Sequence, residues 1–389
     1  MTPAPRRPRI VHVITRLIVG GAQTSVVSLC EGLNADFDVY VVSGPQTGPE
    51  GSLHRRAAET VPLTVVESLR REISPRWDPV AVHSLRRVLR RLDADIVHTH
   101  SSKAGIVGRL AAAPLRARVV HTVHGWGHTP ADSRLRRTVF IALERLAARH
   151  CDALVAVSED NRQEGIRHHI GLPNLYRVIP EVVELQPLDP DFSASRERAR
   201  ATLGIDQAGE VVGWVGRFVV QKDPETLSEA LVSLLLARAE AQAVLIGDGP
   251  HRAQVEQVVR GAGIEDRVRF TGVVHDARAL MPAFDVLLHP SRWEGQPIVI
   301  QEALAERVPV VAAKTSGTEE LIEPGRTGYI VAPRMPDELT RAATAVLDTP
   351  ALSAPLSEDS LDGVRKTHGR SLVLDRYREL YYSLLGELE

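Results

Sequence analysis

The chain has 389 residues, 43% of them apolar and 25% charged, with a formal net charge of −2 and two cysteines. This composition excludes a largely disordered chain, a collagen-like chain and a disulfide scaffold, and the length favours two domains over a single core. No apolar run approaches the roughly 18 residues that a membrane span requires. The opening MTPAPRRPRI runs into a strand pattern without the apolar core of a secretory signal, so a cytoplasmic protein with reduced, buried Cys30 and Cys151 is expected.

Short β-branched runs alternate with amphipathic helical stretches throughout, the pattern of parallel sheets covered by helices on both faces, so the fold class is α/β. In the first half, strands are expected at 10–15, 38–44, 95–100, 119–124 and 152–158. After Pro180 the text turns polar and acidic, EVVELQPLDPDFSAS, with further prolines at 187 and 190, and reads as a linker. A second strand series follows in VVGWVGRF, AVLIGDG, VRFTG, VLLHPS, VPVVAAK and GYIV, with helical text between. The expected domains are therefore 1–185 and 186–370, with a last helix at 371–389 returning to the first domain. Ligands of open α/β sheets bind beyond the carboxyl ends of the strands, so the site is expected in a cleft between two facing sheets.

The charge is uneven. Residues 1–185 carry 25 basic and 18 acidic side chains, and the remainder 22 and 31. A basic half fits a solvated surface and also an anionic partner such as lipid; no nucleic-acid partner is expected. In SLRRVLRRL (84–92), Leu85, Val88, Leu89 and Leu92 share one helical face and four arginines the other. That face is expected to pack on the first sheet, leaving the arginines to meet anionic lipid peripherally. Only four lysines, at 103, 222, 314 and 366, stand against 43 arginines, so a retained lysine marks a place where a compact ammonium matters.

The densest motif is HPSRWEGQPIVIQEALAERVPVVAA, with Glu294 in a loop and Glu302 inside the helix that Pro297 should begin. A loop carboxylate beside a helix start suits sugar hydroxyls, and the exposed amides of the first turn suit a phosphate. In VGRFVVQKDPETL, Gly216 ends a strand, and Arg217 and Lys222 precede a proline-started helix, where two cations can neutralise a diphosphate. Gly20 and Gly21 occupy a strand-helix turn in the first half, where backbone amides can approach a phosphate. Two neighbouring strand ends hold His98, His100, His121, His124 and His128. Alternation puts His98 and His100 on one face and His121 opposite His124. Without a carboxylate or cysteine beside them in sequence, these histidines are expected to line a cleft rather than hold a metal.

Together these segments resemble the retaining glycosyltransferases of family 4, which have the GT-B fold of two facing Rossmann-like domains. The resemblance runs from Gly20-Gly21 to the last helix. It implies that Arg217 and Lys222 hold the diphosphate of a nucleotide sugar, that Glu302 accepts from the ribose and that Glu294 accepts from the hexose. Gly295, Gln296, Pro297 and Ile298 would lie by sugar and phosphate, Gly20 and Gly21 over the phosphates, Phe270, Thr271 and Gly272 by the base, and His124 by the anomeric carbon. His100, Ser101, Lys103 and Trp126 are the candidate acceptor contacts. Two departures stand out. Glu181-Val182 replaces the family's frequent Asn-Gly after Ile-Pro, and Ser316-Gly317-Thr318-Glu319-Glu320 lacks the proline of Gly-Gly-x-Pro-Glu.

The expected reaction moves a hexose from a nucleoside diphosphate, UDP by preference, to an acceptor hydroxyl with retention, in polysaccharide or lipid-linked glycan assembly or in glycosylation of a small molecule. It needs neither a metal nor another cofactor, and the departing phosphate takes the acceptor proton. His124, Glu294, Arg217 and Lys222 are the expected catalytic set. The rival readings are a sugar-nucleotide 2-epimerase, which would change the sugar without an acceptor, and a binding protein of the same fold that has lost catalysis. A pyridoxal-phosphate phosphorylase fits poorly, because Lys314 lacks a cofactor-binding context.

Overall fold

Seven parallel strands form the first sheet of a computed structural model that describes residues 6–46, 51–186, 189–349, 352 and 355–386. Readings that fall on residues 1–5, 187–188 and 387–389 (the N-terminal arm, part of the linker and the end of the last helix) lie outside the described residues. The strands are β1 (Arg9–Ile14), β2 (Asp38–Ser43), β3 (Leu63–Val65), β4 (Ile96–His100), β5 (Arg118–Val123), β6 (Ala153–Ala156) and β7 (Tyr176–Val178), in the order β3-β2-β1-β4-β5-β6-β7. The edge strands β3 and β7 were not anticipated, because three residues are too few to show a period.

A second parallel sheet contains β8 (Val211–Val215), β9 (Gln242–Ile246), β10 (Val268–Gly272), β11 (Val286–His289), β12 (Val310–Ala313) and β13 (Gly328–Val331). Its order is β10-β9-β8-β11-β12-β13. The strand order reverses between β1 and β4 in one sheet and between β8 and β11 in the other. Each reversal leaves a crevice beyond the strand ends, because the connecting helices leave to opposite faces there.

The chain divides into Met1–Val182 with Arg370–Glu389 as one unit and Val183–Gly369 as the other. The division falls between Val182 and Val183, where the sequence reading put it after residue 185. The central strands of both sheets are rich in buried valine, leucine, isoleucine and alanine, as strands covered on both faces must be. Cys30 and Cys151 are unbridged, and burial pushes both thiols up.

The last helix, Arg370–Gly386, belongs to the first unit and buries Val373, Leu374, Tyr377, Leu380, Tyr381 and Leu384. It crosses the helix Gly21–Leu33 closely at Gly32, where an added Cβ would lie 2.5 Å from Leu374. The Tyr381 hydroxyl reaches His98 Nδ1 at 2.5 Å, and Arg378 meets Asp36 at 2.7 Å. Tyr381→Ala should therefore destabilise the first unit by about 3–5 kcal/mol through the cavity it leaves. Tyr381→Phe, which removes only the hydroxyl, should do so by about 1–3 kcal/mol. Urea unfolding followed by circular dichroism reads both.

Candidate active site

In the second unit the reversal of strand order brings two loops together, one after β8 and one after β11. Gly216 follows β8 as bare backbone. A Cβ on Gly247, at φ +132°, would sit 1.8 Å from the Gly216 carbonyl, so only glycine lets the ends of β8 and β9 approach this closely. Beyond Gly216, the exposed Arg217 is followed by a short turn (Val220–Lys222) and the helix Pro224–Ala237.

The two loops are joined residue by residue. The Arg292 amide donates to the Gln221 carbonyl at 2.8 Å, and the Gln221 side chain donates to the Trp293 carbonyl at 3.1 Å and to Glu294 Oε2 at 3.2 Å. The Arg292 guanidinium meets the buried Asp223 at 2.6 Å. Lys222 Nζ donates to Glu294 Oε1 at 2.6 Å, with 18% of the lysine and 10% of the glutamate side chain exposed. Two residues assigned to different parts of a donor are thus direct partners.

His289, buried at the end of β11, lies 3.5 Å from the same carboxylate. Burial acts to raise the Glu294 carboxyl, but Lys222 and His289 outweigh it and hold the group well below the usual carboxylate range. Burial also lowers His289. Gln221, Asp223 and His289 were missed by sequence reasoning; the position of His289 at the end of VLLHPS was the available signal.

Gly295, Gln296, Pro297 and Ile298 are all buried. Pro297 is the cap of the helix Ile298–Ala305 rather than its first residue, as the motif suggested. The Gln296 side chain turns inward to His368 Nε2 at 3.0 Å and to Gln301 at 3.2 Å, so this segment offers backbone. The turn at Gly317, φ +76°, packs on it, with Gln296 Cγ 3.2 Å from an added Cβ. Glu302 is half-buried one turn into the helix. Burial raises its carboxyl to about 7, with Arg278 opposing the rise and Asp276 and Glu306 adding to it. Phe270, Thr271 and Gly272 end the edge strand β10, with the Arg252 guanidinium 5.5 Å over the Phe270 ring.

In the first unit, Gly20 caps and Gly21 begins the helix that follows β1. His12 pairs with His98 across β1 and β4, so both rings leave the same face, joined by His100 two residues along. His12 Nδ1 lies 2.9 Å from His100 Nε2, His100 Nδ1 lies 3.1 Å from His124 Nε2, and His124 Nδ1 lies 2.7 Å from Glu181 Oε1. Both ring nitrogens of His124 are therefore engaged within the protein. His121 is on the other face, bonded to Thr99 Oγ1 at 3.0 Å beneath Gly105.

Ser101 shares a 2.7 Å hydrogen bond with Thr15, Lys103 pairs with Asp78, and Trp126 donates to the Asn161 carbonyl at 3.0 Å. With His100, these acceptor candidates cluster around the ends of β4 and β5, each held by the chain's own groups.

Among the described residues, two triads have donor atoms close enough for a metal, His12 with His98 and His100, and His128 with Glu164 and His168. The second triad contains the carboxylate that sequence reasoning did not see beside the histidines. In the first, both nitrogens of His98 and of His100 and one of His12 are already hydrogen-bonded. In the second, the Arg137 guanidinium lies 3.3 Å from His168 Nε2, an unfavourable neighbour for a cation.

The comparisons with known proteins agree with this architecture. Residues 19–186 match the model of Glycosyltransferase Family 4, and residues 209–349 match that of Glycosyl transferases group 1. The chain is 27% identical over 97% of its length to an Escherichia coli UDP-Gal:alpha-D-GlcNAc-diphosphoundecaprenol alpha-1,3-galactosyltransferase, covering 97% of that protein. It is 31% identical over 76% of its length to an alpha-D-kanosaminyltransferase of Streptomyces kanamyceticus, covering 79% of it. The crystal structure of Anabaena HepE in complex with UDP and glucose superposes with a TM-score of 0.81 at 22% identity, over 97% of this chain and all of that one. The chain is accordingly a GT-B glycosyltransferase and belongs to family 4.

Proposed function

We propose that the enzyme transfers a hexose from a nucleoside diphosphate, with UDP as the favoured carrier, to an acceptor hydroxyl with retention of configuration. The observation that carries this reading is the Lys222–Glu294 pair, set where the strand order of the second sheet reverses. A donor entering there takes Lys222, with Arg217, onto its diphosphate and leaves Glu294 to accept from hexose hydroxyls. The first amides of the helix Ile298–Ala305 add partial positive charge. As the anomeric C–O bond breaks, negative charge grows on the phosphate that these groups already face. The acceptor oxygen bonds to the anomeric carbon, and its proton passes to the departing phosphate oxygen. The chain's own cations carry the charge, so the proposal calls for no metal. The carrier follows the similar E. coli enzyme, named for UDP-Gal, and HepE, which holds UDP and glucose.

A lipid-linked acceptor at the cytoplasmic face of a membrane is the favoured class, and the helix Arg134–Ala148 supports it. Leu135, Val139 and Leu146 are 77%, 46% and 45% exposed at helical spacing on one face, and Arg134, Arg136, Arg137 and Arg145 are also exposed. An apolar stripe flanked by arginines suits the interface of an anionic bilayer. The arginine-rich segment 84–92 is a weaker apolar anchor, because Leu85 and Leu89 are fully buried. Among the described residues no helix is long and apolar enough to cross a membrane, so attachment would be peripheral.

Lys222→Ala and Arg217→Ala should each lower UDP release from UDP-glucose at least about tenfold, the loss of one charge-assisted hydrogen bond. The raised Glu302 carboxyl makes binding pH-dependent. A ribose diol donates to the ionised form, so UDP-glucose affinity should rise about tenfold between pH 6 and 8 and level off above. Glu302→Gln should flatten that profile in calorimetry. In flotation, the chain should follow anionic but not neutral liposomes, and Leu135→Asp with Val139→Asp should release it.

A further inference from the structure

The line of hydrogen bonds from His12 through His100 and His124 to Glu181 has a direction that its terminal group dictates. An ionised carboxylate only accepts, so the 2.7 Å contact with His124 must be donated by His124 Nδ1–H. The neutral ring then presents a lone pair at Nε2, which accepts from His100 Nδ1–H at 3.1 Å. His100 in turn has its lone pair at Nε2 and accepts from His12 Nδ1–H at 2.9 Å. The line ends on His12 Nε2, a buried nitrogen without a hydrogen-bond partner among the described residues. As a lone pair it leaves one acceptor unsatisfied. Reversing the whole line would need a protonated Glu181, and a second proton on His124 would turn the His100 and His12 bonds around; either would leave a buried N–H at His12 Nε2 with nothing to accept it.

Burial keeps His12 and His100 neutral, and strand register aligns them. His12 and His100 are fully buried, and burial lowers His12 to about 3 and His100 well below the usual histidine range. The strand pairing of His12 with His98 and of Ile14 with His100 sets the first two rings in register. Glu181 is 3% exposed and follows Pro180, where the family frequently has asparagine. An asparagine amide can donate as well as accept, so it would not impose a direction.

We propose that Glu181 is a positioning residue of the transfer reaction: by fixing the direction of the histidine line it keeps the His124 proton on Nδ1, with a buried negative charge behind the ring. The inference rests on the glycosyl-transfer reading and deepens it. The resemblance to family 4 implies an anomeric carbon beside His124, and positive character gained there is favoured by a ring backed by an anion and disfavoured by an imidazolium. The effect is electrostatic and acts through His124. Glu181 itself takes no proton from the acceptor.

Ring-nitrogen NMR of the full chain labelled with 15N-histidine tests the direction without any substrate. His12, His100 and His124 should all be protonated at Nδ1 and bare at Nε2, and a His124 that carries its proton on Nε2 would overturn the inference. Glu181→Gln keeps the shape and loses the acceptor-only charge. It should bring the Nε2–H form of His124 into the spectrum and lower kcat for UDP release from UDP-glucose at least about tenfold, with KM within about twofold. Glu181→Asp, which keeps a carboxylate, should restore the Nδ1–H form and most of the turnover. A Glu181→Gln variant with altered tautomers and unchanged kcat would refute the positioning role, and a raised KM at constant kcat would place Glu181 in donor binding instead. Should the native chain release no UDP from UDP-glucose, UDP-galactose or UDP-GlcNAc, the transfer reading fails, while the spectrum still decides the histidine line.

Discussion

The contact between Lys222 and Glu294 organises the second unit's site, because it is where backbone topology, loop packing and charge meet. Reversal of strand order between β8 and β11 opens a crevice, and the loops that leave these strands would each be too short of partners to hold a fixed shape there. Cross-loop bonds from Gln221 and Arg292, together with the buried Asp223, fix both loops. The ion pair then sits on a rigid base. Removing either member leaves the other partly buried without its opposite charge, a penalty that generally exceeds the value of the pair itself. A ligand that supplies an anion for the lysine and hydroxyls for the carboxylate satisfies both at once.

The first unit solves a different problem, burying a row of polar rings inside a sheet. His12, His98 and His100 lie among strands rich in valine and isoleucine, and each is accommodated by hydrogen bonds rather than by charge. His98 turns to Tyr381 on the last helix and to Thr122 on β5, whereas His12 and His100 feed toward His124 and Glu181. Anchoring of the last helix and alignment of the strand-end histidines thus share one face of one sheet. A loosened helix would disturb the rings as well as the core.

Much of this was legible in the sequence. The long strands, the division of the chain and the residues at the carboxyl ends of β8 and β11 all follow from periodicity and from glycines and prolines at turns. Pairings between distant residues were not legible. Lys222 and Glu294 are recognisable separately as cation and anion, but their contact spans 72 positions and depends on the order of strands. In the sequence Glu181 is a departure from a motif; only the fold sets its carboxylate against His124, and neither residue's local text announces the other. Pro297 shows a smaller limit: helix-start chemistry was recognised, and the boundary moved by one residue.

The central claim is that the Lys222–Glu294 pair parts to share a donor, the lysine taking phosphate and the carboxylate taking sugar. Titration calorimetry with UDP and with UDP-glucose on Glu294→Gln tests it most directly. The account predicts that UDP binds this variant at least as tightly as the native chain, because the lysine is released, while the added affinity contributed by the glucose is lost. Weakened UDP binding, with the preference for UDP-glucose intact, would contradict it and leave the pair as a structural ion pair alone.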